Sequence, residues 1–484
     1  MRCRLRPRMS RSSGQRPSPR FGHLLGCLVL VGACSASSKS TIDATANDTS
    51  SAGLERLNHI VVIVLENWSY DSLYGEFLGA EGLVNAKDAP PQIDATGAPY
   101  PTLPQTETHL PQTLANAPFA LDSYIPTSAD TSTDLTNNFY EEQRQIHGGR
   151  MDQFVLYDTA AKGLAMGYYH TSNLGLPIEA AKYTLCDHFF HGVYGGSLQN
   201  HIFLISANAA NFAAAPASIK RAVLDDHGMP LPDANGKPQD GPLTPDGYVM
   251  GTLYPTATPH PPGIPPEQLV PPQTFPTIGD RLSSKGLDWA WYAEGWNAIV
   301  SGIALNEAGT DPNTLFQYNH QPFVYFEGYG EGGPGRVHLK DETDFLAAAQ
   351  SGNLPAVSFV KPAGTDNEHP NYTNVIKGEE HVLQLIKAVT TGQNWADTAI
   401  VVTYDENGGF WDHVAPPAGD AWGPGTRVPT FVISPYAKKG FVDTTVYDTS
   451  SILALIEHRF GLAALGTRDG TAADMSNAFD LSQQ

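Results

Sequence analysis

The sequence predicts an α/β protein built on a doubly wound, largely parallel sheet with helices on both faces. Three observations carry that expectation. Continuous β-branched runs at His59–Leu65 (HIVVIVL), Ala356–Val360, Ala399–Tyr404 and Val428–Ser434 read as strands buried on both faces. Val382, Leu385, Ile386 and Val389 recur with helical spacing, and Ile452, Leu455 and Ile456 do so ahead of a stop at Gly461. Strands and helices alternate along the chain, the order that builds a parallel sheet with crossover helices.

Composition fits a large core, with 41% hydrophobic and 16% charged residues. The formal charge of -21 argues against nucleic acid as a partner, because a phosphate backbone needs a basic footprint. An anionic substrate stays open if a bound cation concentrates positive charge in a pocket. The basic residues Arg2, Arg4, Arg6, Arg8, Arg11, Arg16 and Arg20 precede a short apolar core, Leu24–Val31, in the manner of an export signal. Val31-Gly32-Ala33-Cys34 reads as a lipobox, with cleavage near Ala33 to give a soluble periplasmic protein as the alternative. No adjacent arginine pair marks the twin-arginine route. The expected location is therefore outside the cytoplasm: periplasmic, anchored to the outer membrane through lipid on Cys34, or secreted. Processing leaves Cys34 and Cys186, which rules out a disulfide framework and a cysteine zinc site. Cys186, inside the apolar run Tyr183–Phe190, is expected to be a packing residue.

The chain divides into a signal peptide of lipoprotein type over 1–33, a flexible tether over 34–56, a catalytic domain over 57–462 and a C-terminal tail over 463–484. Within the domain, about 207–275 is rich in Pro and Gly, including Pro261-Pro262-Gly263-Ile264-Pro265-Pro266, and reads as an inserted cap or long loop. Gln92–Thr133 is expected to be irregular too.

Candidate chemistry sits where strands end. The first strand runs into Glu66-Asn67 and the Ala399–Tyr404 strand into Asp405-Glu406, and ligands of open α/β sheets bind at the carboxyl ends of the strands. Clustered carboxylates need a cation, and Asp, Glu and Asn oxygens suit a hard one; helix capping is the plainer reading of the same residues. Gly195-Gly196-Ser197 precedes an apolar helical pattern, which places Ser197 at a helix N-terminus where dipole and free N–H groups favour anions. A simple N-cap explains that serine equally well. His320, His369 and His413 fall near predicted strand ends or loops.

At these residues the chain resembles the bacterial phosphoesterase family of acid phosphatases and phospholipases C, within the alkaline-phosphatase-like superfamily. The blocks that carry the likeness are HIVVIVLENWSYDSLYG from His59, YTLCDHFFHGVYGGSLQNH from Tyr183, FQYNHQPFVYF from Phe316, YDENGGFWDHVAPP from Tyr404 and GTRVPTFVISPYAKKGFVDTTVYDTSSILALIE from Gly425. The FQYNHQPF and ISPYAKKG blocks look like the acid phosphatase branch. The resemblance implies an alkaline-phosphatase-like fold, a divalent metal held by Glu66, Asn67, Asp405 and Glu406, and Ser197 as nucleophile. It implies that Asn200 holds a phosphate oxygen, and that His320, His369 and His413 bind phosphate oxygens or protonate the leaving alcohol. Asn319 stands where the family usually has histidine. Asn137, in Thr136-Asn137-Asn138, falls where another often occurs, with His147 the nearest imidazole. An asparagine donates hydrogen bonds but carries no proton through a reaction.

The expected function is an exported, metal-dependent phosphomonoesterase, an acid phosphatase, working through a phosphoserine. Its rivals are a phospholipase C-type diesterase and a non-catalytic ligand-binding lipoprotein. Ca, Mg or Mn is favoured as the cation, with Zn or Fe as alternatives. The expected partners are a phosphorylated small molecule or a phospholipid headgroup, and a membrane only through lipid on Cys34. The aromatic run Trp289, Trp291, Tyr292 and Trp296 is read as core, with a choline-binding surface as its alternative.

Overall fold

The computed structural model describes residues 53–129 and 133–482. The expected export signal, Cys34 and nearly all of the tether lie outside the described residues. Eight strands form the main sheet: β1 (His59–Leu65), β2 (Thr184–Cys186), β3 (Trp289–Ala293), β4 (Leu339–Asp341), β5 (Val357–Lys361), β6 (Thr398–Tyr404), β7 (Thr430–Ile433) and β8 (Phe441–Asp443). Their spatial order is β8-β2-β7-β6-β1-β5-β3-β4. β1 lies at the centre, paired in parallel with β5 on one side and β6 on the other. Only β7 runs against its neighbours, pairing antiparallel with both β6 and β2. A continuous apolar run reveals a buried strand but not its direction, so this reversal is a property of the tertiary connection.

β6 is buried along its whole length and β1 at every residue but His59, so both faces of the sheet are covered. The helix Val375–Thr390 turns its buried stripe of Val382, Leu385, Ile386 and Val389 inward, and Asn374 caps its start. Thr449–Phe460 begins in a capping box from Asp448 and ends at Gly461, whose φ of 60° is the left-handed C-cap the sequence predicts. The short strands β2, β3, β4 and β8 escape the sequence argument because they lack the continuous β-branched runs that mark β1, β5, β6 and β7. Trp289, Trp291 and Tyr292 lie on β3, and with Trp296 they are buried, so this aromatic run is core and not a ligand surface. Cys186 is likewise buried on β2, where burial pushes its thiol pKa well up.

Residues 207–275 hold isolated bridges and one 3-10 turn but no strand of the main sheet. This insertion packs beside the strand ends: the Tyr325 hydroxyl donates to the Leu253 carbonyl at 2.8 Å, and Tyr254 meets Tyr318 edge-on at 4.8 Å. The stretch 463–482, set apart as a tail, packs onto the body. Met475, Ala478 and Phe479 are buried, and Phe479 bridges to Ala437. Among the described residues, no helix is long and apolar enough to cross a membrane.

Candidate active site

β1 and β6 are adjacent and parallel, so their C-terminal ends deliver Glu66-Asn67 and Asp405-Glu406 to one rim. All four residues are buried. The turn after β1 needs a left-handed Asn67, with φ of 65°, and its N–H donates to Asp405 Oδ1 at 3.3 Å. Across the rim, the helix Ser197–Ser206 starts with Gly196 as its N-cap, so Ser197 is the first helical residue and the capping role falls to glycine. Gly195 adopts φ of 82°, and a Cβ there would lie 2.4 Å from the Phe139 nitrogen. Only glycine admits that approach, which brings the helix start against the segment carrying Asn137.

The Ser197 hydroxyl lies against the Asp405 carboxylate and favours its ionised form. Burial, with the nearby Glu66 charge, nevertheless pushes the Asp405 pKa up to about 6. Burial also drives the Glu406 carboxyl well above its usual range, with Asp405 adding to the effect. Glu406 receives hydrogen bonds from Asn137 Nδ2 and the Gly408 N–H, each at 2.5 Å. Burial raises the Glu66 pKa as well, but there the Lys361 ammonium and the His320 and His369 rings outweigh it and hold the carboxyl well below its ordinary value.

Several buried polar atoms at this point have no hydrogen-bond partner: Glu66 Oε2, both side-chain heteroatoms of Asn67, Asp405 Oδ2 and His201 Nε2. Orphaned buried polar atoms are costly and native structures rarely keep them together without cause. Ligand atoms of Glu66, His201 and Asp405 also lie within 4.8 Å of one another. An oxygen-rich donor set of this kind fits a hard divalent cation, and the charge of such an ion lowers the raised carboxyl pKa values around it.

The expected histidines part company. His320 Nε2 lies 2.9 Å from Glu66 Oε1, and burial, helped by Lys361 and opposed by Glu66, brings its pKa down to about 4. His369 contacts the Pro370 carbonyl through Nδ1 at 2.6 Å. A carbonyl only accepts, so Nδ1 carries the hydrogen and Nε2, 3.7 Å from Glu66 Oε2, is the nitrogen left for chemistry. His413 belongs to a neighbouring network instead: its Nδ1 sits 2.6 Å from Asp71 Oδ2 and its Nε2 3.3 Å from Glu81 Oε1. Burial works against His413 protonation, but Asp71 outweighs it and raises the pKa.

The amides are divided in the same way. Asn200 is occupied by its own loop, accepting from the Val193 N–H at 2.9 Å and donating to the Val193 and Gly195 carbonyls at 2.9 Å. It therefore shapes the glycine turn that presents Ser197. Asn137 braces Glu406, whereas Asn319 is buried with Oδ1 unpartnered.

Two residues escaped the sequence reading. His201 stands four residues after Ser197, on the same helix face, with Nδ1 2.7 Å from the Ser197 carbonyl. Burial and Lys361 bring its pKa down to about 3. Lys361 closes β5, so the strand-end logic that found Glu66 and Asp405 points to it equally; it is fully buried, 2.6 Å from Glu66 Oε1.

Glu368, beside His369, gives a pH signature. Burial pushes its pKa to about 8, against the opposing hydrogen bond that the Tyr404 hydroxyl donates to Oε2 at 2.5 Å. A carboxyl raised from 4.5 in this way adds stability that is complete below about pH 4.5 and lost as pH rises through 8. Glu368→Gln removes that titration. Its melting temperature should rise relative to wild type between pH 5 and 8.5, and parallel melting curves across that window would refute the assignment.

The buried carboxylates, the serine at a helix N-terminus and the flanking imidazoles at the strand ends are compatible with a metal site. The chain belongs to the Phosphoesterase family, whose profile matches residues 57–463. It is 24% identical to the non-hemolytic phospholipase C of Pseudomonas aeruginosa over 88% of this chain and 58% of that protein. It is 26% identical to phospholipase C A of Mycobacterium tuberculosis over 88% of this chain and 78% of that one. This chain thus spans less than two thirds of the Pseudomonas relative's length. A solved alkaline phosphatase superfamily protein from Vibrio parahaemolyticus superposes with a TM-score of 0.33 at 10% identity, covering 74% of each chain.

Proposed function

We propose that this chain is an exported, divalent-metal-dependent hydrolase that cleaves phosphate esters through Ser197, with phosphodiesters of the phospholipid class as preferred substrates. The observation that carries the reading is Ser197 at the start of its helix, against Asp405 and beside the unpartnered atoms of Glu66, Asn67 and His201. In the first step the Ser197 oxygen attacks phosphorus as its proton passes to Asp405, and the bond to the departing alcohol breaks as that oxygen takes a proton from Nε2 of His369 in its imidazolium form. Asp405 and His369 regain their starting states when Ser197 is reprotonated and the attacking water gives up its proton. In the second, water attacks the phosphoserine, frees Ser197 and releases the phosphorylated remainder. Glu66, Asn67, Asp405 and His201 would hold the cation, with Glu406 behind them. A bound dication supplies neutralisation of charge on the phosphoryl oxygens.

The diester preference rests on two supports. Relatives named phospholipase C align along most of the chain. Asn137 and Asn319 are also neutral amides where the resemblance expects imidazoles, and less positive charge at the site suits the single charge of a diester better than the double charge of a monoester. The FQYNHQPF and ISPYAKKG blocks favour the monoester reading, an acid phosphatase. Export and lipid attachment at Cys34 rest on the arginine-rich start and Val31-Gly32-Ala33-Cys34.

The test compares kcat/KM for bis-p-nitrophenyl phosphate, phosphatidylcholine and p-nitrophenyl phosphate, before and after chelation and after Mn2+, Mg2+ or Ca2+ is restored. Diester turnover at least about tenfold above the monoester, lost on chelation and regained with metal, is expected. Dominant monoester turnover would select the acid phosphatase reading. No turnover of any substrate with metal restored would defeat both and favour a binding lipoprotein.

A further inference from the structure

Lys361 has no exposed surface, and its ammonium lies 2.6 Å from Glu66 Oε1 while donating to the Val64 carbonyl at 3.3 Å. His320 Nε2 approaches the same oxygen at 2.9 Å. Neither Glu66 oxygen has a hydrogen-bond partner, so the contacts at Oε1 are charge contacts, and Oε2 has only His369 Nε2, at 3.7 Å. The two oxygens of one carboxylate are therefore unequal: one lies against a cation of the protein, the other does not.

Backbone pairing enforces that asymmetry. Lys361 ends β5 opposite Ala293 of β3, and β5 also pairs with β1, which ends one residue before Glu66. Both side chains thus leave neighbouring strand ends, and Lys361 has Val64 of β1 as its second partner. Reorienting Glu66 to offer both oxygens to an ion would place that ion beside a buried ammonium, where like charges repel with little screening.

We infer that Lys361 is a positioning residue that makes Glu66 a one-oxygen ligand, and so biases the site toward Mn2+ or Mg2+ over Ca2+. This rests on the metal reading above. Ca2+ takes six to eight oxygens and often a carboxylate by both, whereas the smaller ions take near-octahedral sites with one oxygen from each carboxylate. Glu406 does not supply an extra carboxylate oxygen in compensation, since it is engaged by Asn137 and Gly408.

The experiment titrates metal-stripped wild type, Lys361→Met and Lys361→Gln with Mn2+, followed by electron paramagnetic resonance of the free ion, and with Ca2+, followed by calorimetry. Wild type should bind one ion, Mn2+ more tightly than Ca2+. In Lys361→Met the Ca2+ affinity should rise about tenfold or more while that for Mn2+ changes less than about threefold, because the ammonium no longer repels an ion that also engages Oε1. A purely structural lysine would instead weaken both ions together, and that result, or unchanged affinities, overturns the inference. Should both variants fail to fold by circular dichroism, wild type decides alone: tighter Ca2+ than Mn2+ binding refutes the role. If wild type binds no stoichiometric ion, the metal reading itself falls, an outcome distinct from an ion bound without a shift in the variants.

Discussion

Replacing Ser197 by alanine should lower kcat by about 10⁴-fold or more, leaving the melting temperature and the metal content close to wild type. The size of the effect follows from the chemistry of a nucleophile. Its loss removes the covalent path, and the remaining groups can only position substrate and water. The small structural effect follows from the fold. Gly196, and not Ser197, caps the helix, and the turn before it is braced by Asn200 and by Glu142, whose carboxylate accepts from the Gly195 N–H at 2.6 Å. Steady-state rates on the substrate found in the panel above, with metal analysis and a thermal melt on the same sample, make the test. Residual activity above about one per cent would exclude Ser197 as the nucleophile. A fall in metal content would show that the serine acts through the ion site instead.

Arg427→Met should destabilise the protein by about 3–5 kcal/mol, among the largest effects open to a single substitution. Arg427 is fully buried. Its Nε donates to Asp412 Oδ1 at 2.9 Å, Nη2 to Asp71 Oδ1 at 3.2 Å, and Nη1 to the Glu81 and Asp187 carbonyls at 2.7 and 2.8 Å. The guanidinium also stacks over Tyr70 at 4.4 Å. Methionine fills part of the volume but leaves Asp412 without its cation, Asp71 with His413 alone, and two carbonyls without their donor. Arg427→Lys should recover little, because an ammonium cannot span partners set out for a planar fork. Urea unfolding with a constant m-value is the measurement, and a loss below 1 kcal/mol for Arg427→Met would show the network to be dispensable. His413 is tied to this network through Asp71, so its contribution should appear mainly in stability rather than in turnover.

Much of the site was legible because strand ends announce themselves. β1 and β6 are long enough for their β-branched runs to stand out, and the residues after them are where a parallel sheet exposes its functional edge. Ser197 was visible through the glycines ahead of an apolar helix. Lys361 obeys the same strand-end rule, yet a lone lysine after a five-residue strand carries no local signal of a buried partner. His413 was misplaced for the opposite reason. It stands seven residues after Glu406, but Asp71 draws it into the cluster around Arg427, and sequence distance does not record that. Asn200 illustrates a third limit, since an amide can serve a ligand or its own loop and only the hydrogen bonds distinguish the two.

What the sequence determined by itself, then, was the class of sheet, the central strands, the main helices with the stop at Gly461, and the residues that follow β1 and β6. Those features depend on local propensity and on the periodicity of buried side chains. The tertiary structure alone decided the reversal of β7, the pairing of Lys361 with one oxygen of Glu66, the placement of His201 and the separation of His413 from the site. Each of these depends on which elements pack side by side across hundreds of residues, and so on long-range burial and charge pairing that no single segment encodes.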